Sequence, residues 1–137
     1  KFVGVTTVDV AGAGGTSWSE VEAHRQPDPL RRQIAHTFAT WGIPTSVALQ
    51  EVRAAIPETI PVFASGGIRT GVDIAKAIAL GATVVGSAAP LLKEANESSD
   101  AVHQKFYAYQ EELRIAMFCA GAGTLAQLAL TRLRKVD

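Results

Sequence analysis

Val62-Phe63-Ala64-Ser65-Gly66-Gly67-Ile68-Arg69-Thr70-Gly71 decides the fold, because a short β-rich run ends in two glycines and opens directly into an amphipathic helix. Glycines at that point let the backbone approach an anion, and the unpaired N–H groups and dipole of the following helix favour its charge. The plainer reading is that Gly66 and Gly67 only permit a tight strand-to-helix turn, and the segment alone does not separate the two. Downstream, Val84-Val85-Gly86-Ser87-Ala88-Ala89-Pro90 repeats the strand-to-turn pattern. Two such loops from adjacent strands can hold one phosphate group.

Outward from this stretch, strands alternate with helices. The β-branched run over 5–10 reads as a strand feeding the glycine-rich loop 11–15. Asp28 followed by Pro29 marks a helix start, with Leu30, Ile34 and Phe38 recurring every four residues and an end near Trp41-Gly42. Thr45 or Ser46 is expected to cap the next helix, whose apolar face is Val47, Val52 and Ile56 and which Pro57 stops. A second strand runs over 61–65. Thr70 and Asp73 have capping-box-like spacing, Ile74, Ala75 and Ile78 give the helix after them a core face, and Gly81 ends it. Residues 83–86 read as strand three. A long helical pattern covers 99–120 with Val102, Phe106, Leu113 and Met117 inward, and Thr124 begins a terminal helix carrying Leu125, Leu128 and Ala129. The tail is Arg132-Leu133-Arg134-Lys135.

This order, with near-continuous apolar strands, argues for an α/β fold with a parallel sheet covered by helices. A flat doubly wound domain fits the length, but Ala11 to Gly15 leads into Thr16-Ser17-Trp18 rather than directly into a long helix, which weakens a dinucleotide-binding reading. A (β/α)8 barrel needs about 250 residues, so this chain would supply only part of one.

Composition narrows the function classes. The chain has 137 residues, 47% hydrophobic and 19% charged, one domain's worth of ordinary globular sequence. Thirteen basic residues balance thirteen acidic ones, so no overall field draws nucleic acid or an anionic membrane. No apolar run reaches the roughly 18 residues of a spanning helix, and the N-terminus lacks a signal-peptide pattern, so a cytoplasmic location is expected. The single Cys119 excludes an internal disulfide and is expected to be a buried, inert thiol. Lys1-Phe2-Val3-Gly4 carries no initiator methionine, so the chain is expected to begin inside a longer protein. His24, His36 and His103 lack metal-ligand spacing. Arg31-Arg32 reads as an exposed face. Ser17 with Glu20, and Ser19 with Glu22, match capping-box spacing, and Asp9 reads as a buried, hydrogen-bonded acid.

Asp9-Val10-Ala11-Gly12-Ala13-Gly14-Gly15-Thr16-Ser17-Trp18, Trp41-Gly42-Ile43-Pro44-Thr45, the stretch from Ala64 to Gly71, and Ala75-Lys76-Ala77-Ile78-Ala79-Leu80-Gly81-Ala82 together resemble the type 2 isopentenyl-diphosphate isomerases. The likeness continues through Glu111-Glu112-Leu113-Arg114, Ala116-Met117-Phe118 and Gly121-Ala122. The second glycine block is shared with many flavin barrels, whereas the first, with Gly-Gly-Thr-Ser-Trp, is more specific.

The resemblance implies an FMN-dependent (β/α)8 TIM barrel that interconverts isopentenyl and dimethylallyl diphosphate with reduced FMN and Mg²⁺, with NADPH as reductant. Residues 1–137 would be the C-terminal part of one barrel domain, its last three βα units with strands six to eight, and the N-terminal half would lie outside this chain. It further implies that the backbone of Gly67, Ile68 and Arg69 holds the FMN phosphate with Ala88 and Ala89, that Thr16 touches the flavin, and that Trp18 lies near the substrate, where simple packing is its plainer role. Some members have serine at Ala11, so one side-chain contact to the cofactor is absent or replaced here. No catalytic residue and no metal ligand is expected in this chain, because the flavin does the acid/base work and the Mg²⁺ and diphosphate ligands precede Lys1. The small-molecule partner is an isoprenyl diphosphate, neither nucleic acid nor membrane is a partner, and the complete protein is expected to be a homo-oligomer. The isolated chain is expected to be inactive and to bind FMN poorly, since three strands cannot close a barrel. Two alternatives stand beside this reading: a segment of another FMN-dependent barrel oxidoreductase, like the 2-hydroxy-acid oxidases, or a non-catalytic partial-barrel module.

Overall fold

A computed structural model describes residues 4–134, so Lys135 of the basic tail lies outside the described residues. Among them, β1 (Val8–Asp9), β2 (Val62–Ala64) and β3 (Val84–Val85) form one parallel sheet in that order. Parallel neighbours need a crossover, and helices supply it. Between β1 and β2 lie α1 (Trp18–Arg25), α2 (Pro29–Thr37) and α3 (Thr45–Ala55), and α4 (Gly71–Ala79) joins β2 to β3. After β3 come a 3-10 turn (Ala89–Leu91), α5 (Leu92–Glu97), α6 (Ser99–Cys119) and α7 (Leu125–Ala129). The strands are shorter than the β-rich runs that announced them, although ladder-like bonds continue past β1 through Val10 N–H to Phe63 O and Gly12 N–H to Ser65 O, both 3.0 Å.

The register assigns the two faces. Val8 pairs with Val62 and Ala64 with Val85, while Asp9, Phe63 and Val84 form the opposite row. Val62 and Ala64 are fully buried against Leu49 of α3 and Ala77 of α4, with Ile68 and Ala82 completing the cluster. A second cluster, Ala75, Ile78, Ala122 and Leu128, fixes α4 to α7, with Leu113 and Met117 of α6 against it. On the other face Asp9 and Val84 are exposed. Helices therefore bury one face, whereas a doubly wound sheet carries them on both.

Local capping follows the sequence in most places. Asp28 Oδ1 accepts the Leu30 N–H at 2.8 Å with Pro29 at the first helical position, and Ser17, Thr70, Ser98 and Thr124 each accept an N–H three residues on. Gly81, at φ +101°, closes α4 through Ala82 N–H to Ala77 O at 3.0 Å and Gly81 N–H to Ile78 O at 2.9 Å, a Schellman arrangement.

Several expectations are corrected. Thr45 is not a cap: Pro44 precedes α3 with no side-chain cap bond, and the Thr45 hydroxyl turns to carbonyls of the glycine loops. Nor is Ser19, which lies inside α1 with its hydroxyl on that of Ser17 at 3.0 Å. Helix α2 ends at Thr37, and separate turns carry the chain through Trp41. Leu49, rather than Val47, is the buried residue of α3, and Tyr109, rather than Phe106, that of α6. Cys119 is exposed, because it stands at the last turn of α6 on a side with no covering element. Asp9 is exposed because the sheet face it shares with Val84 is open.

Candidate functional site

All three strands point the same way, so the segments that follow them gather along one edge of the sheet. There they line a cleft of about 390 Å³, whose walls are Ala11, Gly12, Gly15, Thr16 and Trp18 from the first segment, residues 65–69 from the second, and residues 86–90 from the third. Every residue expected to contact the cofactor lies on this wall: Thr16, Gly67, Ile68, Arg69, Ala88 and Ala89. Trp18 lines it too, at the first position of α1 and 76% exposed, so it does not serve as core packing in this chain.

The glycines are required by a close approach of backbone to backbone. Gly66 has φ +99°, and a Cβ there would collide with the Gly12 carbonyl oxygen. Gly67 has φ +79°, and its Cβ would lie 2.5 Å from Gly14 O. The first and second glycine blocks thus interlock, each filling the space a side chain of the other would occupy. Arg69 secures the contact, its Nη2 donating to Gly14 O at 2.8 Å.

The helix N-terminus does not meet the cleft as the sequence suggested. Asp73 Oδ2 accepts the Arg69 N–H at 3.1 Å, Thr70 Oγ1 accepts the Asp73 N–H at 3.1 Å, and Glu112 Oε2 of α6 accepts the Gly71 N–H at 2.5 Å. Two carboxylates already occupy the positive end of α4. The free donors lie elsewhere: the N–H groups of Gly67 and Ile68 in the turn, and of Ala88 and Ala89 entering the 3-10 turn, have no partner among the described residues. All four of these residues line the cleft, and unpartnered backbone donors on a concave wall are what an anion nest requires.

Other polar groups support the wall. Ser87 Oγ donates to Ile68 O at 2.8 Å. On the open sheet face Ser65 Oγ donates to Asp9 Oδ1 at 2.9 Å, and the same oxygen accepts the Ala11 N–H at 3.0 Å, which holds Ala11 at φ +37°. Away from the cleft, His36 Nδ1 lies 2.7 Å from Glu20 Oε1 and ties α2 to α1, so Glu20 is not a reciprocal cap. Among the described residues no three His, Cys, Asp or Glu side chains gather as a metal site. Among the described residues no helix is long and apolar enough to cross a membrane. Sequence reasoning missed Thr45, Ser65 and Ser87 as supports of the cleft, since a serine or threonine beside a turn carries the same local signal whether it caps a helix or reaches a distant loop.

A family model described as FMN-dependent dehydrogenase matches residues 3–135. An isopentenyl-diphosphate delta-isomerase of a Synechocystis species is 60% identical over 92% of this chain, and those of Stutzerimonas stutzeri and Cronobacter sakazakii are 56% and 50% identical over 98% and 97% of it. The chain spans 36% to 38% of the length of these relatives. They bear out the resemblance that the two glycine blocks carry.

Proposed function

This chain belongs to the FMN-dependent dehydrogenase family, and on that footing we propose that it is the FMN-phosphate-binding part of an enzyme interconverting isopentenyl and dimethylallyl diphosphate. The observation that carries the reading is the set of unpartnered N–H groups of Gly67, Ile68, Ala88 and Ala89 around the cleft, together with relatives of that name at 50% to 60% identity. Residues 1–137 are then the C-terminal part of a single (β/α)8 barrel domain, with β1, β2 and β3 as its sixth, seventh and eighth strands and the cleft at their C-terminal mouth, where barrels place phosphates.

Gly67, Ile68, Ala88 and Ala89 bind the phosphate through backbone N–H groups. Arg69 holds the first glycine block in place through Gly14 O, and its other guanidinium donors would be available to the same anion. Thr16 donates a hydroxyl to the cofactor. Trp18 presents its indole face toward the isoprenyl chain, excluding water and stabilising positive charge that develops on an allylic carbon. Reduced FMN would supply the acid/base chemistry of the double-bond shift, which adds a proton at one carbon and removes one at another. The metal and the substrate diphosphate are assigned, within this proposal, to ligands outside this chain. NADPH as reductant, a cytoplasmic location and a homo-oligomer of complete barrels belong to the same proposal.

The description of the matched family as dehydrogenases favours a second reading, a flavin oxidoreductase acting on a 2-hydroxy acid. Both use the same phosphate cleft. The full-length protein, reduced anaerobically with FMN present, should convert isopentenyl to dimethylallyl diphosphate. FMN-dependent oxidation of a 2-hydroxy acid without that conversion would establish the second reading instead.

A further inference from the structure

We propose that Thr45 is a positioning residue that aims the Gly67 N–H into the cleft, an inference that rests on the phosphate-site reading above. Thr45 opens α3, is half-buried, and is absent from the cleft wall. Its Oγ1 lies 2.5 Å from Gly66 O and 3.4 Å from both Ala13 O and Ser65 O. A hydroxyl has one proton to give, and the shortest contact takes it, so Thr45 donates to Gly66 O. Thr45 N–H donates in turn to Ala13 O at 3.1 Å, which fixes the threonine between the two glycine blocks.

The consequence follows from peptide geometry. The unit joining Gly66 to Gly67 is planar and trans, so its C=O and N–H point in opposite directions. Anchoring the carbonyl toward α3 sends the Gly67 N–H away from α3, to the side where Gly15 and the cleft lie. A Cβ at Gly15 would sit 2.8 Å from Gly67 N, so that side is open only because Gly15 has no side chain. Without the anchor, a peptide between two glycines has other accessible orientations, and the hydroxyl selects the one that binds an anion. Two other carbonyls nearby are anchored, but the N–H groups that follow them are those of Arg69 and Gly15, outside the free set. Ser87 holds Ile68 O and Arg69 holds Gly14 O, and both of those residues line the cleft themselves. Thr45 does not, so its influence on a bound phosphate is indirect and can be measured apart from ligand contact.

The test compares FMN with riboflavin, which lacks the phosphate, as ligands of the full-length protein. Dissociation constants are measured by flavin fluorescence titration for the wild type, Thr45→Val and Thr45→Ser, with Thr45→Ala added should the valine variant fail to fold by circular dichroism. Thr45→Val should weaken FMN by about tenfold, the scale of one hydrogen bond to a charged group, and leave riboflavin unchanged. Thr45→Ser, which keeps the donor, should restore FMN binding. Equal weakening of both flavins, no weakening of FMN, or failure of serine to rescue overturns the proposal while the phosphate site stands. A wild-type protein that binds FMN no more tightly than riboflavin overturns the phosphate site itself, and this inference with it.

Discussion

Replacing Gly66 by alanine separates the two demands that the interlocked glycine blocks make. At φ +99° an L-residue with a Cβ is strained by about 1–2 kcal/mol. The added methyl also meets the Gly12 carbonyl oxygen, a backbone atom that cannot swing aside as a side-chain tip would, so an overpacking cost of about 1–3 kcal/mol adds to the strain. Gly66→Ala should therefore lower the unfolding free energy by roughly 2–5 kcal/mol, a large share of the 5–15 kcal/mol that a typical domain possesses. Gly121→Ala supplies the control. Gly121 has φ +70° but nothing within 4 Å of a built Cβ, so only the strain of about 1–2 kcal/mol applies. Urea titration of the full-length variants, compared at equal m-value, reads both numbers. FMN titration of Gly66→Ala should show weakened binding, because parting the loops displaces Gly67 and Ile68, whereas Gly121→Ala leaves FMN affinity intact. Equal destabilisation by the two substitutions would refute the close approach of the glycine blocks as the reason for Gly66.

Other outcomes follow from the same geometry. Trp18 lines the cleft whereas Trp41, 81% exposed, does not, so Trp18→Phe should remove part of the FMN-induced quenching of tryptophan fluorescence and Trp41→Phe none; equal effects would place the flavin elsewhere. Glu112→Gln removes the charged acceptor of the Gly71 N–H and should cost about 1 kcal/mol in urea titration without loss of FMN affinity, since a carboxylate at the helix terminus opposes rather than aids a nearby phosphate. A fall in both would show that capping and ligand binding are not separate duties. The isolated chain, whose Asp9 and Val84 face is open, should bind FMN weakly and not turn over isopentenyl diphosphate; saturable micromolar binding by the monomer would refute this.

The features that could be read from sequence are those whose partners lie within one turn. Asp28 before Pro29, Thr70 three residues before Asp73, and Gly81 after Leu80 behave as local rules require, because the bonds they make span two to five residues. The resemblance supplied Thr16, Trp18, Gly67, Ile68, Arg69, Ala88 and Ala89, and the structure gathers all of them on the cleft wall. What escaped the sequence depends on contacts between distant segments: Thr45 reaching Gly66, Glu112 reaching Gly71, and Ser65 reaching Asp9 across 21, 41 and 56 positions. A threonine at a helix start reads as a cap because the local bond is the common use of its hydroxyl, and only the neighbouring loop reveals the competing acceptor.

The glycines mark the boundary of such reading most clearly. Sequence identifies Gly66 and Gly67 as positions where φ is positive or something comes close, but not what comes close. The approaching groups in the structure are the carbonyls of Gly12 and Gly14. The two readings of the turn are nonetheless linked. Hydrogen bonds from Thr45, Ser87 and Arg69 engage the carbonyl oxygens of Gly66, Ile68 and Gly14, and in a planar trans peptide an engaged carbonyl fixes the direction of the following N–H. Of these three anchors, the one on Gly66 O directs a free donor, the Gly67 N–H, whereas the N–H after Ile68 O is that of Arg69 and goes to Asp73. The tight turn and the anion nest are two consequences of one packing arrangement, and a substitution that loosens the first should be expected to weaken the second.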